Sequence, residues 1–147
     1  MKSKLLYESP DRLRTFAVVF AKGDEAKLGL ERFARDRRIT GAALTGIGAF
    51  REATLGYYDP DELEYLDLPV TEQVEVLSLI GNVTLEQGEP VVHAHAVVGK
   101  RNGSTAGGHL KSATVWPTLE VLIEETPRHL RRRYDRETGL ALIDLTA

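Results

Sequence analysis

The 147-residue chain has no cysteine. That excludes a disulfide framework and any thiolate metal site, so a bound metal has only His, Asp and Glu side chains to hold it. It also fits a reducing compartment, and a cytoplasmic location is the expectation. No apolar run approaches the roughly 20 residues that cross a bilayer, so no membrane partner is expected. Met1 to Pro10 carries two lysines without an apolar stretch, which is not the pattern of a secretory signal. A positive excess is missing too. The net charge is −3, which argues against a dedicated nucleic-acid binder unless a local patch overrides the total.

Several catalytic signatures are likewise absent. There is no Walker loop, no Gly-x-Ser-x-Gly and no Ser-His-Asp pattern. Gly46-Ile47-Gly48 is not a dinucleotide fingerprint, because Arg51 stands where the third glycine is needed and the segment follows a helix instead of opening one. Gly103 to Gly108 reads as a flexible hairpin loop in preference to an anion nest.

What is present describes one globular domain. A hydrophobic fraction of 42% and a charged fraction of 28% are those of a folding chain. A chain of this length buries roughly two-thirds of its unfolded surface. Arg14 to Ala21 is rich in β-branched and aromatic residues and reads as a strand. Asp24 to Arg38 reads as an amphipathic helix. Asp24 is its expected N-cap, Ala26, Leu30, Phe33 and Ala34 form one apolar face, and Arg35, Arg37 and Arg38 suit its last turn. Strands are expected at Gly41 to Phe50, with a bulge or close approach at Gly46 and Gly48, and at Ala53 to Tyr58. After the Asp59-Pro60-Asp61 turn, more follow at Glu62 to Leu68, Val74 to Val83 and Val91 to Val98. Asn102-Gly103 marks a hairpin, followed by strands at Gly108 to Val115, Thr118 to Glu124 and Leu140 to Leu145. One helix followed by hairpin-spaced strands argues an α+β fold with an antiparallel or mixed sheet.

Three of the four histidines fall around one hairpin. His93 and His95 are two apart on a strand, so they point to one face. His109 lies on the returning strand and joins them if the hairpin pairs these strands. Three converging imidazoles suit Zn²⁺ or a similar divalent metal, with a fourth position left open. Spacing alone leaves another reading open, in which these are ordinary histidines on a half-buried sheet. A one-residue slip would turn His109 to the opposite face.

His93-Ala-His95 followed by Gly107-Gly108-His109-Leu110 resembles the prokaryotic branch of the PPC (plants and prokaryotes conserved, DUF296) family. Gly23-Asp24-Glu25-Ala26 is similar to the family's helix opening, and Gly46-Ile47-Gly48-Ala49 to its Gly-x-Gly-small strand end. Gln73 to Gly81 resembles a stretch that plant members begin with Arg, and Leu119-Glu120-Val121 a late acidic strand. These matches run from about residue 14 to 145, so residues 1–147 are read as a single PPC-like domain. The resemblance implies a compact α+β fold with a curved, largely antiparallel sheet. It also implies a homotrimer, with His93, His95 and His109 as metal ligands, commonly for zinc. Many bacterial members are described as DNA-binding by association with plant members that carry an AT-hook. This chain has no AT-hook and has Gln73 in place of the plant Arg, which weakens the transfer of DNA binding.

Two functions from different classes follow. The first is a metal-holding homotrimeric binding or regulatory module, of the class described as DNA-binding. The second is a small zinc-dependent enzyme acting on an unknown small molecule, with Glu75 or Glu120 as general base. Each glutamate can equally be a polar residue on a solvated strand face or at a trimer contact. Arg128 to Tyr134 is the most basic segment, but Glu124, Glu125, Asp135 and Glu137 flank it. A solvated surface or subunit contact is the expectation there, with His129 outside the ligand set. Trp116 and Tyr57 are candidate pocket walls, though large aromatics more often fill cores.

Overall fold

Two long strands organise the chain: β3 (Ala42–Asp59) and β7 (Thr105–Glu125). They pair antiparallel along nearly their whole length, from Ala42 opposite Glu125 to Gly56 opposite His109. Around them, in the computed structural model that describes residues 1–146, lie β1 (Lys2–Glu8), β2 (Arg14–Ala21), β4 (Glu64–Val70), β5 (Val74–Glu86), β6 (Glu89–Gly99), β8 (Arg131–Asp135) and β9 (Leu140–Asp144). One helix, α1 (Ala26–Arg37), completes the described elements. The fold is α+β, mostly sheet, as expected.

The pairings β3–β5, β5–β6, β6–β7 and β7–β3 close a circuit, so the sheet curls on itself. Each of the two long strands serves both ends of that curl. Its irregular points include register shifts at Gly46/Gly48 in β3 and at Val76/Ser78 in β5, with further shifts along β3 where it pairs β7. Such bulges bend a strand without ending it. Gly48 has φ +152°, and a Cβ there would lie 2.4 Å from the Thr118 carbonyl oxygen and 2.7 Å from Leu119 Cα. Only glycine lets β3 and β7 approach so closely at the bend.

The helix lies on this sheet through Ala26, Gly29, Leu30, Phe33 and Ala34, spaced to share one face. Phe33 meets Phe16 edge-on at 5.3 Å, and Phe20 fills the space above Gly29. Leu30 and Phe33 are 1% and 3% exposed, and burying each stabilises by about 1.5–3 kcal/mol. Phe50, Leu55, Leu110, Val115 and Leu119 continue the core along β3 and β7.

The elements depart from the sequence expectation in four places. Glu25, not Asp24, caps the helix: its carboxylate accepts from Leu28 N–H at 2.5 Å and from Ala113 N–H at 2.9 Å, while Asp24 accepts from Ala21 N–H. The longer side chain reaches both the helix and β7. Expected strand pairs at 41–50 with 53–58, and at 108–115 with 118–124, are single strands, because a bulge bends β3 and Pro117 does not interrupt β7. Lys2–Glu8 is an edge strand, exposed along its length, with no buried alternation to reveal it. Arg131–Asp135 is also a strand, discussed below. Among the described residues, no helix is long and apolar enough to cross a membrane.

Because Gly48 sits where a Cβ meets backbone, Gly48→Ala is expected to destabilise the fold by roughly 1–3 kcal/mol. Gly88→Ala, in an open turn with nothing within 4 Å of an added Cβ, is expected to cost less. Urea unfolding of both variants checks the order.

Candidate metal centre

The Asn-Gly hairpin forms as expected. Asn102 Oδ1 accepts from Ser104 N–H at 2.9 Å, Gly103 takes φ +83°, and Lys100 N–H donates to the Ser104 carbonyl. That turn sets β6 against β7 with His95 directly opposite His109. His93 lies two residues before His95 on the same face, opposite Asn82 of β5. All three rings therefore converge: their centroids stand 5.0–5.5 Å apart, and one nitrogen from each lies within 4.8 Å of the others. His109 can come this close because Gly108 lets the backbone press on β3, where a Cβ would lie 2.6 Å from the Gly56 carbonyl oxygen.

Two observations bear on whether this set fits a metal. Zinc–nitrogen bonds of about 2.0–2.1 Å at tetrahedral angles hold nitrogens about 3.4 Å apart. His93 Nε2 and His95 Nε2 stand 3.2 Å apart. Further, His109 Nδ1 is buried with no hydrogen-bond partner. An orphaned buried nitrogen costs about 1–3 kcal/mol unless something meets it. Burial, then Arg132 and His95, lowers the His93 pKa. Burial, then His93, His95, Lys27 and Lys111, pushes His109 down to about 4. Both rings are thus neutral near pH 7, the form in which imidazole is a ligand.

The surroundings of the trio were not legible in the sequence. Arg132 comes from β8, the segment expected to be a solvated basic surface. Its Nε donates to the buried Thr84 Oγ1 at 2.8 Å, one terminal nitrogen to the Ala141 carbonyl at 2.6 Å, and the other to Asn82 Oδ1 at 3.1 Å. That last nitrogen also lies 2.9 Å from His93 Nδ1. Tyr65 of β4 stacks on His109 with centroids 4.7 Å apart. A cavity of about 250 Å³ borders His93 and His109, with Lys27, Glu31 and Glu86 around it. No motif announces Arg132 or Tyr65, since both arrive by long-range pairing.

The other expected candidates lie elsewhere. Glu75 is opposite Gly99, four residues beyond His95 on β6, or roughly 13 Å along the strand. Glu120 is opposite Val19 and Ile47, eleven residues beyond His109 on β7. Neither lines the cavity beside the histidines. His129 is exposed, outside the ligand set as expected. Tyr57 is 61% exposed, and Trp116 is half-buried with Lys22 Nζ 3.7 Å from its ring centroid, so neither walls this site. Gln73 lines a separate surface cleft with Glu75, Lys100 and Arg101.

Known proteins are similar to this chain in sequence and fold. The family model for the Plants and Prokaryotes Conserved (PCC) domain matches residues 7–127. A metal-containing protein of Archaeoglobus fulgidus is 35% identical, with TM-score 0.82 over 88% of this chain and 91% of that one. A plant- and prokaryote-conserved protein of Pyrococcus horikoshii is 34% identical, with TM-score 0.84 over 90% and 92%. A Bacteroides thetaiotaomicron protein, provisionally called DNA-binding, is 28% identical, with TM-score 0.87 over 90% and 93%. A curated relative, the bifunctional protein GlmU of a Synechococcus strain, is 32% identical over 130 residues. The match spans only about a fifth of that relative's length.

The low His109 pKa makes stability pH-dependent. An unfolded histidine takes its proton near pH 6.5, the folded one near 4. Between those values the unfolded state binds more protons, so stability falls as pH drops through that window. Metal-free wild type is expected to lose stability relative to His109→Gln from pH 6.5 to 4, in urea unfolding measured pH by pH. A difference that stays constant across the window counts against the assignment.

Proposed function

The chain belongs to the Plants and Prokaryotes Conserved domain family, and from that premise we propose that it is a homotrimeric binding module whose His93, His95 and His109 hold one zinc ion per chain. The observation that carries this reading is the convergence of three imidazole nitrogens within 4.8 Å. With no cysteine in the chain, the donor set is all-nitrogen, which suits zinc among the common divalent metals. The metal-containing Archaeoglobus relative supports it. Zinc on three imidazoles supplies a Lewis acid with a coordination position to spare. The protein's own part is to orient the rings through the β6–β7 register and to keep His93 and His109 neutral by burial.

An apolar outer face supports the trimer. Val19, Ile47, Leu77, Ile80 and Leu122 are 42–62% exposed and surround a depression of about 510 Å³, with Glu120 among them. Faces of this kind on a soluble chain mark contacts. Ile80 is the cross-strand neighbour of His95, so a subunit seated there lies beside the metal site.

DNA as partner has less support. The net charge is −3, Arg132 turns inward, and Arg133 lies 3.3 Å from Asp144. The enzyme reading gains one observation, a cavity at the metal site that includes Glu31 and Glu86. Either is better placed as a base than Glu75 or Glu120.

Elemental mass spectrometry of purified protein is expected to find about one zinc per chain, lost in a His93→Ala, His95→Ala double variant. No metal in the wild type after zinc is supplied overturns the reading. Light scattering is expected to give a trimer mass that falls to the monomer in Ile47→Glu with Leu122→Glu. Arg132 adds a sharper test. Metal-bound histidines ordinarily donate Nδ1–H to an acceptor, whereas a guanidinium can only donate. Arg132→Gln, whose amide oxygen accepts, is expected to tighten zinc on the order of tenfold in chelator competition. Unchanged or weaker zinc binding removes Arg132 as a brake on the site.

A further inference from the structure

We propose that the cavity bordered by His93 and His109 binds a small monocarboxylate with an apolar body. Its carboxylate meets the histidine-held metal, and its carbon skeleton lies against the C-terminal hairpin. This rests on the metal reading above and adds the class of ligand.

The cavity measures about 250 Å³. That is below the roughly 300–1,000 Å³ of pockets for drug-sized ligands, so its occupant is small. Two of the three histidines form one end, and Val91, Leu140, Ala141 and Leu142 supply an apolar wall. An apolar wall facing a metal end calls for a molecule with one polar head and a hydrocarbon tail.

The charge of the head follows from the neighbours. Lys27 and Glu31 pair at 3.0 Å and cancel, and Glu31 also accepts from Val92 N–H at 3.4 Å. Arg132 balances Glu86. A divalent ion then leaves a positive excess of two, which selects an anion and repels an amine. Arg132 has its guanidinium tied to Thr84, Asn82, His93 and the Ala141 carbonyl, leaving one N–H. It contributes fixed charge in place of a free fork, so the head is a carboxylate on the metal and not a phosphate needing several donors.

The wall comes mainly from one hairpin. Leu140, Ala141, Leu142 and Arg132 belong to the β8–β9 hairpin, which follows the family-matched segment 7–127. The hairpin joins β5 through Leu85 opposite Arg131, and the Tyr58 hydroxyl donates to the Thr138 carbonyl. The family core therefore supplies the histidines, and this hairpin sets what fits beside them.

The test uses cobalt(II)-loaded protein, whose visible band shifts when an anion enters the metal's coordination. The probes are acetate, 3-methylbutanoate and 3-methylbutylamine. The branched acid is expected to bind on the order of tenfold tighter than acetate, since its extra carbons leave water. The amine is expected not to bind. Ala141→Phe and Val91→Phe each add bulk to the cavity's apolar wall, from β9 and β6 respectively. Each is expected to abolish the preference for the branched acid while keeping the cobalt band and the acetate shift. Equal affinities for the two acids in the wild type, or a preference that survives both substitutions, overturns the inference. So does a cobalt band that no carboxylate moves, and that result leaves the metal reading standing. Absence of a cobalt band in the wild type overturns the metal reading and this inference together.

Discussion

The site depends on one antiparallel register, β6 against β7, in which His95 faces His109. Side chains alternate across a strand, so shifting this pairing by one residue would turn His109 into the core and bring Leu110 out. Two features prevent the slip. The Lys100–Ser104 turn sets the loop length, and on β6 the buried Val92, Ala94, Ala96 and Val98 alternate with the outward His93, His95 and Val97, which fixes the face each side chain takes. Register held by burial costs the site nothing in conformational freedom, because the same packing that folds the sheet aims the rings.

The curl of the sheet is the second condition. β3 and β7 each run past a bend, and the bend at Gly48 brings β5 and β6 round to close the circuit. Closure removes edges from the middle of the sheet and leaves β1, β4 and β9 as the strands with a single partner. It also buries the inner rows of Phe, Leu and Val, while the outer row at Val19, Ile47, Ile80 and Leu122 stays apolar and uncovered. A chain that leaves such a row exposed beside its histidines couples subunit contact to the metal site in the reading proposed here.

Arg132 shows how a surface-looking charge enters a site. In the chain it belongs to a run of arginines flanked by acids, which reads as solvated. In the fold, strand alternation turns Arg132 inward while Arg131 and Arg133 face out. The buried Thr84 hydroxyl and the Asn82 amide need a donor, and the guanidinium meets both while reaching His93. Tyr65 likewise reaches His109 from β4, although the two are far apart in sequence.

The local patterns determined a good deal. Apolar spacing located α1, alternation located most strands, Asn102-Gly103 located the hairpin, and the His-x-His pair with His109 named the ligand candidates. Each is a short-range rule, set by 3.6- and 2-residue periods or by a turn's backbone needs. Tertiary structure decided the rest. It chose Glu25 over Asp24 as the cap because only the longer side chain reaches Ala113, and it joined expected strand pairs into β3 and β7. It made a strand of the Arg-rich segment, and it set Glu75 and Glu120 away from the histidines. Those outcomes depend on which distant segments share a wall, and sequence periodicity carries no information about contacts between segments that far apart.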